Sequence, residues 1–244
     1  MVGVVMWSGV LLWSTLPFAP ALGAVGFASS AGLAFRARQA RLLLLAVVGL
    51  VASLTSVVAP GMPWVLGLLL GFGVGMGALQ MAGMSMPTWP RGAFGAPEAL
   101  LTTACTTLAA LALVAWWWWV DPTFDDLVGY IPAWQWPILL VGGLVFAMTN
   151  AALEEVLFRG LLLDVLRQDL ALSTPAAIAV QAGVFGLLHL NGFPRGVSGV
   201  ALATVYGVLM GLLRVRSGGL VAPWVGHVCI NAGMFLTIAV LAWS

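Results

Sequence analysis

Apolar runs of roughly 18 or more residues follow one another along almost the whole chain, and each is long enough to cross a bilayer core as a helix. They fall at about 2–35, 42–59, 62–86, 98–120, 137–163, 174–190, 197–213 and 220–242. The first is interrupted by Pro17 and Pro20; counted as one kinked span, it brings the total to eight. The expected fold is therefore all-α, a polytopic transmembrane helical bundle forming a single integral membrane domain over residues 1–244. Charge points the same way. Only 7% of the 244 residues are charged, against about 25% in a soluble domain, too few to cover a water-facing surface. No basic residue precedes Arg36, so the apolar start reads as a retained span and not as a cleaved signal peptide.

A net charge of +1 offers nothing to a nucleic acid. Cys105 and Cys229 stand far apart, each in an apolar run, and form no CxxC site. Arg36, Arg38 and Arg41, then Arg91, Arg167, and Arg214 with Arg216 fall in loops on one side, which the positive-inside rule makes cytoplasmic. The loop at 121–136 carries Asp121, Asp125 and Asp126 without a basic residue and falls on the other side, as does Arg195, the one exception. Trp116 to Trp119, Trp134 and Trp136 bracket that loop as an interfacial aromatic belt. Gly67, Gly71 and Gly75, with Gly73 and Gly77, superficially suggest a phosphate loop. No strand precedes them and no Lys follows, so close helix packing through small residues is the expectation, repeated at Gly207 and Gly211.

Ionisable side chains inside a span cost about 2.5–3.5 kcal/mol each on insertion scales. The span at 137–163 nevertheless holds Glu154, Glu155 and Arg159. Glu155 and Arg159 are four apart and can pair along one face. Glu154 points about 100° away, on the face of Asn150 and Phe158, and is expected to be the carboxylate without a mate. The chain's two histidines both follow: His189, with Phe185 one turn before it, and His227, with Asn231 one turn after. Counted from the span ends, Glu154 and His189 lie at similar depth, and His227 about 10 Å shallower.

These residues carry a resemblance. Glu154-Glu155-Val-Leu-Phe-Arg159 looks like the EExxxR motif of the CPBP intramembrane proteases, the group of type II CAAX prenyl proteases and bacteriocin-processing relatives. Phe185-Gly-Leu-Leu-His189 is similar to its FxxxH motif and His227-Val-Cys-Ile-Asn231 to its HxxxN motif, so that 137–242 carries all three in order. The resemblance implies an intramembrane endopeptidase cleaving a membrane-associated or lipidated peptide or protein, seated in a cell membrane if the source is prokaryotic. Glu154 and His189 would activate water, His227 and Asn231 would stabilise the oxyanion, and Glu155, Arg159 and Phe185 would support them. Glu154, His189 and His227 could also form a Zn²⁺ set; both forms stay open, with the metal-free one slightly favoured. Two other functions fit the composition: a proton-coupled transporter using buried Glu and His, and a catalytically idle membrane scaffold.

Overall fold

The computed structural model describes residues 19–59, 64–122, 131, 135–190 and 192–243. Residues 2–18 of the first apolar stretch, with Pro17, and Asp125, Asp126 and Trp134 of the acidic loop lie outside the described residues. Among the described residues all regular structure is helical: α1 (Ala19–Arg36), α2 (Ala40–Val58), α3 (Trp64–Met81), α4 (Ala96–Val120), α5 (Trp136–Glu155), α6 (Thr174–Leu187), α7 (Gly196–Ser217) and α8 (Val221–Trp243). Wide π turns, Val156–Leu162 and Val165–Asp169, continue α5, and a 3₁₀ turn, Leu188–Leu190, ends α6. Among the described residues five helical stretches are long and apolar enough to cross a membrane: Ala40–Val58, Ala96–Val120, Trp136–Asp169, Gly196–Ser217 and Val221–Val240. Leu66–Met81 and Thr174–Leu190 are shorter apolar helices. The described helices fall on the apolar runs of the sequence, and the chain is an integral multi-pass membrane protein.

Local sequence sets several ends. At the start of α4 the Glu98 carboxylate turns back to accept the Gly95 N–H at 3.0 Å, a reach that satisfies an otherwise orphaned helix donor. Pro97, Pro175 and Pro223 each sit in a first turn, where the missing N–H is not needed.

The described residues group into two compact units. The first comprises residues 19–89 and 156–208. Here α2 packs against both α1 and α3, and small residues set the spacing. Gly71 lies on the backbone of Val48, where an added Cβ would come within 2.9 Å. Gly67 faces Thr55 and Gly75 faces Leu44, so Gly67, Gly71 and Gly75 form the α2-facing stripe of α3. Gly73 and Gly77 face nothing within 4 Å and take no part. In the same way Gly207 of α7 rests on Ala182 of α6, and Gly186 of α6 rests on Val200 and Thr204 of α7. At the Arg-rich end, Arg41 pairs through two nitrogens with Asp169, at 3.1 and 2.9 Å. Arg38 donates to the carbonyls of Ala82 and Gly83 at 3.3 Å, where a cation meets the negative end of α3.

The second unit comprises residues 90–155 and 209–243. Its α8 packs against α4 and α5, with Gly143 of α5 beneath the Phe235 ring and Gly226 of α8 against Thr102 and Thr106 of α4. The Trp224 indole N–H donates to the Met148 carbonyl at 3.1 Å. A short strap over 90–93 clasps the turn between α7 and α8. Ala93 N–H donates to Ser217, Leu220 N–H to Pro90 and Val221 N–H to Arg91, at 2.8, 3.0 and 3.1 Å. Within the strap Gly92 adopts φ 78°, open to glycine at little cost, and abuts the backbone of Gly219.

Candidate active site

The last turn of α5 and the second turn of α8 bring three buried ionisable groups together in the second unit. Asn150 and Glu154 are one helical turn apart on α5 and share a face, and the Asn150 amide donates to Glu154 Oε1 at 3.0 Å. Glu154 Oε2 lies 3.4 Å from His227 Nε2. On the other side of the same ring, His227 Nδ1 meets Glu155 Oε1 at 2.7 Å. A carboxylate only accepts, so Nδ1 carries a hydrogen there, and the imidazole is held between two carboxylates. Glu155 is 1% exposed and His227 4%; at such burial a carboxylate needs partners, and the ring supplies one. Asn231, one turn beyond His227 on α8, is also buried, and its Nδ2 has no hydrogen-bond partner among the described residues. Orphaned buried donors are rare, and this one lies within the same short stretch as the imidazole.

The remaining motif residues form a stack in the first unit. The fully buried Arg159 guanidinium lies over the Phe185 ring, 4.5 Å from its centroid, a cation–π contact strengthened by desolvation. Phe158 meets the same ring edge-on at 5.1 Å. His189, half-buried in the 3₁₀ turn, leans on Phe185 at 4.9 Å, and its Nδ1 contacts the Phe185 carbonyl at 3.0 Å. A carbonyl accepts only, so Nδ1–H is the donor and Nε2 is the basic atom of the neutral ring. Phe185, known from its motif as a one-turn neighbour of His189, is therefore the platform on which both Arg159 and His189 rest.

Two expectations are corrected. Glu154 is not a carboxylate without a mate, since the Asn150 amide binds it and His227 faces it. The i, i+4 spacing of Asn150 and Glu154 carried that signal. Glu155 has His227 as a partner as well, a contact that spacing could not supply, since no helical period connects positions 72 apart. Nor is His227 shallower than Glu154: the two residues meet.

A catalytic zinc takes three protein ligands, and among the described residues no group of three or more His, Cys, Asp or Glu side chains is placed to hold an ion.

Apolar helices of membrane-spanning length, with buried carboxylates and an imidazole in contact, define a helical integral membrane protein with a polar centre. Residues 133–233 match the family model described as Type II CAAX prenyl endopeptidase Rce1-like. That segment contains all three motifs, and the match supports a member of the CPBP family of intramembrane proteases. No curated protein and no solved structure matches the chain.

Proposed function

We propose that the protein is an intramembrane endopeptidase that hydrolyses a peptide bond of a membrane-associated substrate, a prenylated or otherwise lipidated chain among them. The family match supports CAAX-type endopeptidase activity in general terms. The observation that carries the residue roles is the Glu154–His227–Glu155 contact, with the unpartnered Asn231 amide one turn along α8.

In this reading Glu154 takes a proton from water as the water oxygen bonds to the scissile carbonyl carbon. His189 is assigned the partner base, on its motif and on its Nδ1–H tautomer, which leaves Nε2 as the basic atom. The carbonyl oxygen becomes an oxyanion and accepts from Asn231 Nδ2 and from His227, donors already fixed in a dry site. Donation from His227 Nε2 requires the imidazolium form, for which Glu154 and Glu155 are the counter-charges. Collapse breaks the C–N bond, and the proton held by the base passes to the leaving amine. Arg159 and Phe185 hold His189 in place. No side-chain nucleophile is used, since a carboxylate and an imidazole suffice as base and acid.

The test is cleavage of a reporter peptide by the purified protein in proteoliposomes. Wild type cleaves it and Glu154→Ala does not. A wild type that leaves the peptide intact, but carries a solute flux that Glu154→Ala loses, overturns the reading in favour of a proton-coupled transporter.

A further inference from the structure

Asn150 belongs to none of the three motifs, yet it touches the carboxylate on which the proposed hydrolysis depends. We propose that Asn150 is a positioning residue that fixes the rotation of the Glu154 carboxylate and thereby selects which of its oxygens meets the reacting water. The proposal rests on the protease reading given above.

The terminal torsion of a glutamate is broad and roughly two-fold, so an unheld carboxylate presents either oxygen. Here the two oxygens are not equivalent. Oε1 accepts the Asn150 Nδ2–H at 3.0 Å, and Oε2 lies 3.4 Å from His227 Nε2. Only the NH₂ edge of an amide can pair with a group that offers acceptors alone, which sets the Asn150 orientation as well. A hydrogen bond to an ionised acceptor is stronger than one between neutral groups, and both side chains are buried, with Asn150 9% and Glu154 8% exposed. Asparagine is otherwise a poor choice at this position. It is a weaker helix former than Leu or Ala, and an amide in an apolar span carries a desolvation cost that only a hydrogen bond offsets. The neighbouring carboxylate, Glu155, is held through His227; Glu154 has Asn150. Each acid thus has a different anchor, and their orientations are set separately.

Asn150→Leu keeps the approximate volume and removes the donor. Outer-shell partners that orient metal ligands cost about ten- to a hundred-fold in activity when lost, and an amide that orients a catalytic carboxylate is expected to act on the same scale. The expected result is a fall of that size in kcat for the reporter peptide in proteoliposomes, with KM and the thermal midpoint in detergent unchanged, and partial recovery in Asn150→Gln, which retains an amide. Where Asn150→Leu does not fold, Asn150→Ala gives the same reading. A second measurement is independent of turnover. The infrared difference between wild type and Glu154→Gln isolates the Glu154 carboxylate stretch, and this band shifts when Asn150 is replaced. A shifted band with reduced kcat supports the proposal. An unshifted band, an unchanged kcat, or a loss shared by KM and thermal midpoint overturns it. An inactive wild type brings down the protease reading instead, and with it the catalytic half of this proposal, while the band alone decides the positioning half.

Discussion

Glu155 and Asn231 both lie close to His227 in the chain's buried polar centre, yet they respond to replacement in opposite ways. Glu155 holds the ring nitrogen at 2.7 Å. Replacing it with Leu leaves a buried imidazole without its acceptor, and breaking a buried pair on one side costs about 3–5 kcal/mol. Glu155→Leu is therefore expected to lower the thermal midpoint measured in detergent as well as activity. Asn231 presents a donor with no partner. Its replacement by Leu removes an unsatisfied group, which is neutral or stabilising, while loss of one oxyanion donor costs about 10²–10³ in kcat. A stable, slow Asn231→Leu protein fits that role; an unstable one, or one with wild-type kcat, contradicts it. Legibility at this scale follows sequence distance. Asn150 beside Glu154 and Phe185 beside His189 are one-turn neighbours and were readable from helical period. The bond from Glu155 to His227 joins two helices, and only the packing of α8 on α5 produces it.

Helix limits show where hydropathy fails as a ruler. The run 62–86 is apolar throughout, but α3 stops at Met81 because Gly83 turns the chain at φ 60°, a backbone state that hydropathy does not register. The span assigned to 137–163 continues to Asp169, since π turns extend it past its apolar core. The glycines of α3 were legible in kind but not in detail: spacing marked five, and the contact with α2 uses Gly67, Gly71 and Gly75. This division is testable. Gly71→Val places two methyl groups into the Val48 backbone and should cost about 1–3 kcal/mol by overpacking, read as a lower aggregation temperature in detergent. Gly73→Val meets nothing within 4 Å and leaves that temperature where it was. Equal losses in both would mean that helix propensity, not contact, sets the cost.

Across the whole molecule, hydropathy gave the all-helical class and the order of the described helices, because apolar length is a property of each segment alone. Sidedness is a weaker signal, carried by the few loop arginines, with Arg195 against them. Within the second unit it predicts opposite exposures for the two ends of the polypeptide's polar loops. In a variant lacking Cys105 and Cys229, a cysteine at Arg216 should react with an impermeant maleimide from the cytoplasmic face, and one at Asp121 from the opposite face. Labelling of both from one face would reverse the assignment made from Arg91, Arg214 and Arg216.

The clasp of Gly92 on Gly219 leaves no room for a single methyl group on either side. Two glycines far apart in the chain are thereby each held to glycine by the backbone of the other's segment. The roof they close fixes where α8 begins, and hence the azimuth at which His227 emerges, so a residue added in the turn beneath it would swing the imidazole about 100° around the axis. A seam remote from any reacting atom in this way dictates the aim of the chemistry.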